Sequence, residues 1–317
     1  VIDKAITLTG SSTDETIVDG GNVPVVLSVY ASDVVIDHLT IRNGLMNLTN
    51  DTRYAAGIAV FADNVTISNC TCTDVYHGIV LEKVKTGNIT HSFIYDTISG
   101  MLVNASENVT LSDCQILSSA ASGLVVQSTT NSMISSLNIS FTDGIGLVLS
   151  GSSLNQIHHN TFFNNSYGVR VFQISDWNCD QNRFYSNNFI ANDMSAYDAC
   201  SNSWSSAGVG NYWSDYTGVD TDNDSIGDSS YEIPLIGEDS FPLMNPVDIS
   251  SETQVNDLVI TTPKHNDTVS GEITVTGIVW TEEDVSIELL KLRVDDGEFM
   301  NITGSTQWQM MLNTTQY

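Results

Sequence analysis

One phrase returns six times along the chain, a glycine followed by a short and mostly apolar run. Gly57-Ile-Ala-Val, Gly78-Ile-Val-Leu, Gly100-Met-Leu-Val, Gly123-Leu-Val-Val, Gly146-Leu-Val-Leu and Gly168-Val-Arg-Val are spaced by 21, 22, 23, 23 and 22 residues. A second short element precedes each phrase, as in Val34-Val-Ile-Asp, Asn64-Val-Thr-Ile-Ser, Asn88-Ile-Thr-His-Ser, Asn108-Val-Thr-Leu-Ser, Asn131-Ser-Met-Ile-Ser and Asn155-Gln-Ile-His-His. Both elements are β-branched and alternate with period two, which marks strands, and turn-forming residues separate them. Two short strands per repeat, with no helical period, exclude a leucine-rich horseshoe and a helical solenoid. One coil of a parallel β-helix fits, each coil stacking on the next at about 4.8 Å. An antiparallel sandwich would not explain why the same phrase returns in register. Ile67, Ile89, Leu111, Ile134 and Ile157 are then expected to form one interior column, the glycines to sit at tight corners, and asparagines at equivalent turns to form ladders along the axis.

Charge narrows the partners. The 317 residues carry 38 Asp and Glu against 10 Lys and Arg, a net charge of -28. Such a field repels phosphate backbones and anionic membranes, so no nucleic-acid partner is expected, and it attracts cations. No run reaches the roughly 18 apolar residues of a membrane span, so no span is expected in this segment. Of the 28 asparagines, 13 lie in N-x-S/T sequons: Asn47, Asn50, Asn64, Asn69, Asn88, Asn104, Asn108, Asn138, Asn164, Asn223, Asn266, Asn301 and Asn313. An exported, extracellular glycoprotein at the cell surface is the expectation. The alternative is that an Asn- and Thr-rich repeat generates sequons by chance.

The clearest chemical motif is Asp220-x-Asp222-x-Asp224-x-x-x-Asp228. Carboxylates two apart in a tight loop converge on one hard cation, and Ca²⁺ takes about six to eight oxygens. Asp220, Asp222 and Asp224 match the first positions of an EF-hand loop, but Ser225 replaces its glycine and Tyr231 its closing glutamate. The Ile226 carbonyl and Asp228 are expected to complete a structural Ca²⁺ shell. Five cysteines are too few for a disulfide scaffold. Cys70, Cys72 and Cys114 read as buried stack residues. Cys179 and Cys200 are one coil apart, which places their Cα atoms within disulfide reach. Polygalacturonase-type phrases are missing, and His77-Gly78 is an isolated echo. Lys83 with Lys85, and Arg170 with Arg183 if they stack, have no carboxylate cluster beside them. His158 and His159 should face opposite sides of a regular strand and so share no ion.

The opening, from Lys4 to Gly44, resembles the first coils of NosD-like right-handed β-helix proteins, especially their archaeal cell-surface members. The stronger resemblance is a closing run: Asn202-Ser-Trp204, Gly210-Asn-Tyr-Trp-Ser-Asp-Tyr216, Asp220 to Asp228, Tyr231-Glu-Ile-Pro234 and Asp239-Ser-Phe-Pro-Leu-Met244. The resemblance implies a β-helix over 1–209 and a segment over 210–248 that closes it, the latter read as Ca-binding from its own aspartates. Founding members of the family serve copper-enzyme maturation, but no Met or Cys cluster here suggests copper. Residues 249–317 resemble a bacterial-type immunoglobulin-like domain, with Asp295-Asp-Gly297 as a hairpin turn. They are too few for a whole sandwich of about 80–100 residues. The expectation is an all-β chain, a right-handed parallel β-helix followed by a partial immunoglobulin-like sandwich. Missing strands would belong to a longer chain or come from a neighbouring molecule. The expected role is non-catalytic: a structural or adhesive component of an envelope layer, sheath or filament. Its partners would be copies of itself, other envelope proteins or glycans. The competing reading is a carbohydrate-active β-helix, lyase or glycoside hydrolase.

Overall fold

The computed structural model describes residues 1–47, 55–174, 177–249, 258–263, 268–279, 290–292, 300–304 and 307–316. The chain divides into two units, Val1–Ser250 and Ser251–Tyr317. The first is a right-handed parallel β-helix. Its short sheet holds eight strands, one per coil, beginning with Thr7–Thr9, Val35–Asp37 and Val65–Ser68 and ending with Arg183–Tyr185. A long sheet of 15 strands supplies the rest of the wall. Every pairing within these two sheets is parallel, as a solenoid requires and an antiparallel sandwich forbids.

The interior column follows from the alternation. Ile36, Ile67, Ile89, Leu111, Ile134, Ile157 and Phe184 stand in consecutive register across the short sheet. Each is no more than 1% exposed. Leu27, Ile58, Ile79, Met101, Leu124, Leu147, Val169 and Ala196 form a second column facing it from the long sheet. Full burial of one such aliphatic side chain is worth about 1.5–3 kcal/mol, and these columns share the core with further stacked residues, among them Ile41, Cys72, Ile94, Ile116, Ile139, Phe162 and Phe189.

The repeated glycines do not sit at corners. They stand inside the strands of the long sheet, stacked coil on coil, and none of the six has a positive φ. Their role is steric. A Cβ on Gly78 would lie 2.7 Å from the Gly100 carbonyl oxygen and 2.6 Å from Ile94 Cγ2. The left-handed corners that follow the short sheet are filled by polar residues instead. His38, Asn69, His91, Asp113, Ser136, His159 and Ser186 follow the short-sheet strands, one per coil, with φ between 49° and 55°. Asn and Asp tolerate this region better than most residues.

The second unit is one antiparallel sheet among the described residues. Its order is Leu258–Thr262, Glu272–Val279, Gln307–Asn313, Met300–Gly304, Leu290–Leu292. Val275, Ile302, Trp308 and Leu312 form its small core. A facing second sheet, which a sandwich needs, is not among the described residues. The Asp295–Gly297 turn, Asn50 and Asn266 lie outside the described residues, as does the side chain of Asn301.

Candidate functional site

The last coils are held by chemistry that the closing phrases carry. Asparagines stack along the axis and pass hydrogen bonds in one direction. Asn155 Nδ2 donates to Asn182 Oδ1 at 3.0 Å, and Asn182 Nδ2 to Asn202 Oδ1 at 2.9 Å. A second ladder runs from Asn160 to Asn187 and from Asn187 to Asn211, both at 2.9 Å. Such a ladder ends on a donor, so its last member needs a partner that only accepts. Both ladders end on a fully buried carboxylate. Asn202 Nδ2 donates to Asp198 Oδ1 at 2.9 Å, and the Asn211 backbone N–H to Asp239 Oδ2 at 2.7 Å. Each carboxylate also receives an indole N–H, Trp204 on Asp198 at 2.8 Å and Trp213 on Asp239 at 2.9 Å. Burial holds both carboxyls above the usual carboxylate range, against the lowering effect of these hydrogen bonds.

Sequence reasoning missed both aspartates. A signal existed: Asn202 precedes Trp204, and Asn211 precedes Trp213, by the same two residues. The indoles continue the interior column as an aromatic stack. Phe184 lies on Trp204 and Phe189 on Trp213, each at 4.2 Å, and Tyr231 covers Trp213 at 4.1 Å. Cys179 and Cys200, with Cα atoms 5.7 Å apart, are joined as a disulfide in this region. Cys70, Cys72 and Cys114 are free and buried. Burial pushes the Cys70 thiol up to about 11 and Cys114 to about 12, so neither supplies a thiolate at neutral pH.

The acidic loop lies within the closing segment. Carboxylate oxygens of Asp220, Asp222 and Asp224 all fall within 4.8 Å of one another. Backbone N–H groups of Asp224 and Ser225 donate to Asp220, and that of Ile226 to Asp224 Oδ1 at 2.8 Å. Asp228 is placed differently. Its Oδ2 accepts from the Thr221 N–H at 3.0 Å and from the Thr221 hydroxyl. The loop can therefore offer three converging carboxylates to a cation, with Asp228 engaged elsewhere.

On the outer surface, no described sequon asparagine is buried. Asn47, Asn64, Asn88, Asn108, Asn164 and Asn223 are exposed; Asn69, Asn104, Asn138 and Asn313 are half-buried. Arg170 and Arg183 do not meet: Arg170 pairs in register with Tyr197 in the long sheet, Arg183 with Gln156 in the short one. Arg170 is ringed by Tyr167, Phe172 and Tyr197, with centroids 5.4–5.8 Å from its guanidinium carbon. His77 lies between Ala56 and Ser99 in register, and burial lowers it to about 4, so it is a neutral imidazole with no carboxylate partner in the ladder. The expectation that His158 and His159 face opposite sides fails for a clear reason. His159 takes the left-handed corner, with φ 54°, so the strand rule does not govern its direction. The two Nδ1 atoms come to 2.9 Å, with the rings at 89°. Tyr185 stacks on His158 at 4.9 Å and 22°.

Comparison with known proteins places this architecture. Curated relatives named "Probable ABC transporter binding protein NosD" occur in Pseudomonas aeruginosa and Stutzerimonas stutzeri, each 37% identical, over 95 and 92 residues. These stretches cover 29% and 28% of this chain and 21% and 20% of the relatives, so the match spans about a fifth of their length. Among solved structures, a mutant tailspike protein of the E. coli bacteriophage HK620 has a TM-score of 0.49 at 11% identity, covering 67% of this chain and 42% of its own. A single mutant of the periplasmic alginate epimerase AlgG has a TM-score of 0.43 at 14% identity, covering 54% and 49%. Nothing about activity follows from either. The family model described as "Periplasmic copper-binding protein (NosD)" matches residues 10–218, more than half of the chain, and the chain therefore belongs to the NosD family.

Proposed function

We propose that this NosD-family β-helix works outside the cytoplasm as a non-catalytic structural or adhesive element of the cell envelope, with glycans on its outer wall. One observation carries this reading. The ladder asparagines and the sequon asparagines are two sets that do not overlap. The ladder residues Asn155, Asn160, Asn165, Asn182, Asn187, Asn192, Asn202 and Asn211 point inward or along the axis, and none lies in a sequon. The described sequon residues all reach the surface. Chance sequons in an Asn-rich repeat would fall in both sets. Asn88 stands in register with Thr66 and Thr110 on the outer face of the short sheet, while Asn64 and Asn108 occupy left-handed corners beside it. The relatives' name and the family's description agree with an envelope location.

Two finer parts belong to the same proposal. The loop of Asp220, Asp222 and Asp224 is read as a Ca²⁺ site that neutralises part of an acidic surface. The second unit is read as an immunoglobulin-like contact module toward other envelope proteins or copies of this chain. The family's description also implies copper. Cys70, Cys72, Cys114 and Met101 are sealed inside the solenoid and cannot receive an ion from solution. The His158–His159 pair, half-exposed on the outer surface, is a donor set that fits.

The test is protease shaving of intact native cells, followed by incubation of the purified chain with neutral and acidic polysaccharides. Release of solenoid peptides, with no new reducing or unsaturated ends in the polysaccharides, is the expected pair of results. Cleavage of any polysaccharide, lost on substitution of one wall carboxylate, would replace the proposal with the enzyme reading.

A further inference from the structure

We infer that the cleft beside the last strands of the short sheet binds an extended oligosaccharide with isolated acidic sugars, Arg183 taking a sugar carboxylate and Leu154 the apolar face of a ring. The inference rests on the adhesive part of the reading above and gives it a ligand class.

The cleft has a volume of about 450 Å³. Sites of about 300–1,000 Å³ suit small ligands, whereas a stable protein interface needs a broad face. Its floor is made by Asn155 and Asn182, both fully buried. Their amide N–H groups are taken up within the solenoid. Asn155 donates to Asn182 and to the Thr129 carbonyl, and Asn182 to Asn202 and to the Ser152 carbonyl. The ladder therefore holds the floor rigid, and recognition falls to the exposed side chains of the walls.

Those walls are periodic. Gln156, Arg183 and Ser203 stand in register on consecutive coils. Asn131, Leu154 and Gln181 take the left-handed corner two residues before each strand, with φ of 53°, 62° and 62°. Both rows repeat at the strand spacing of about 4.8 Å. An extended chain of repeating polar units that runs along the axis meets these side chains in turn, whereas a compact solute meets one coil.

Arg183 sets the charge of the ligand. It is the one charged side chain lining the cleft, and it is exposed. It takes part in neither of the ion pairs found among the described residues, although the chain carries 38 Asp and Glu. A guanidinium takes a carboxylate through two parallel hydrogen bonds. One cation among neutral amides and a hydroxyl matches a ligand rich in hydroxyls and sparse in carboxylates. A phosphate-rich ligand would meet the field of a chain at -28 with a single cation to offset it.

Leu154 supplies the apolar contact. The same corner holds Asp33, Asn64, Asn108 and Asn131 in other coils, residue types that tolerate the left-handed region. A leucine there is a backbone outlier, and such outliers persist where a site uses them. Leu154 is 48% exposed and belongs to none of the apolar core clusters. Packing therefore does not account for it. Its exposed face suits the apolar face of a sugar ring, with the ring hydroxyls left to Gln156, Gln181 and Asn131.

The test is calorimetric titration of the full chain, with chelator present so that Ca²⁺ does not bridge a sugar to the acidic loop. The acidic probes are a hyaluronan oligosaccharide, a xylo-oligosaccharide with one glucuronate branch, and sialyllactose. The unbranched xylo-oligosaccharide, lactose and inorganic phosphate are the comparisons. The expected result is one site for at least one acidic probe, with the comparisons bound at least about tenfold more weakly, the loss of one charge-assisted contact. Arg183→Gln should weaken the acidic probe by about tenfold or more. Leu154→Asn, which suits the corner, should weaken it measurably with the fold intact. Arg170→Gln, on the long sheet, should leave it unchanged, and circular dichroism reports whether each variant folds. The inference is overturned if the folded wild type binds none of the acidic probes, if folded Arg183→Gln and Leu154→Asn both bind as the wild type does, or if phosphate binds as tightly as the saccharide. Failure here leaves the envelope reading standing, because that reading is tested by shaving cells and by sugar at Asn64, Asn88 and Asn108.

Discussion

Replacing Asp239 should open the C-terminal end of the solenoid. Its carboxylate accepts four hydrogen bonds: the Asn211 N–H at 2.7 Å, the Trp213 indole at 2.9 Å, the Phe241 N–H at 3.0 Å and Asn211 Nδ2 at 3.3 Å. Hydrogen bonds to a charged acceptor contribute about 1.5–3 kcal/mol each, and burying the charge takes back part of the sum. Asp239→Ala leaves all four donors without this acceptor, so the expected loss is about 4 kcal/mol. Asp239→Asn keeps one oxygen. Placed where Oδ2 was, it serves three of the donors and sets its NH₂ against the Phe241 N–H, for a loss of about 2 kcal/mol. Coils in a solenoid couple mainly to their neighbours, so the loss should concentrate near Trp204 and Trp213 and spare the coil of Ile89. Urea unfolding followed by tryptophan fluorescence gives the total, and amide exchange locates it. A stability change below about 0.5 kcal/mol in Asp239→Ala, with Asn187 and Asn211 amides still protected, would refute the ladder-terminus reasoning.

Gly78→Ala should cost about 1–3 kcal/mol by overpacking against the Gly100 carbonyl, measured by urea unfolding, although no left-handed conformation is involved. Because burial raises Asp198 and Asp239 above their ordinary value of 3.8, the folded chain binds these protons more tightly than the unfolded chain. Their contribution is fully present below that value and is lost as pH rises through the raised folded values. Exchange protection of the closing segment should therefore fall with rising pH over that window, with a shallower slope in Asp239→Asn. Asp37, lowered by hydrogen bonds from Asn69, Ser68 and His38 that outweigh desolvation, has the opposite sign: its contribution is lost only as pH falls through its lowered value. Reducing the Cys179–Cys200 bond, which closes a loop of 21 residues, should lower stability by about 3 kcal/mol in a thermal or urea melt. Chelating Ca²⁺ at low salt should speed amide exchange over 210–244 before it affects the middle coils; unchanged exchange would remove the Ca²⁺ reading.

The solenoid was legible because its determinants are periodic. A strand that must bury every second residue, coil after coil, writes its column into the sequence at Ile67, Ile89, Leu111, Ile134 and Ile157. The role of the repeated glycines was not legible, because a glycine needed for space and one needed for a positive φ look the same in sequence. Only the stacked Gly100 carbonyl beside Gly78 tells them apart. His159 was misread because the period-two rule assumes extended backbone, and one left-handed residue reverses the direction of a side chain. Asp239 escaped because its partners become neighbours only when the chain end folds back, and Asp198 because nothing in the pattern marks its contacts with Cys200, Asn202 and Trp204, two to six residues on. Asp239 lies 28 residues from Asn211 and 26 from Trp213.

Site-resolved mass spectrometry of the protein taken from its native envelope tests the central functional claim most directly. Attached sugar at Asn64, Asn88 and Asn108, with none at Asn155, Asn160, Asn182, Asn187 or Asn211, is the expected result. Bare asparagine at all three outward positions in envelope-derived protein would contradict it and return the sequons to the status of a by-product of an Asn-rich repeat.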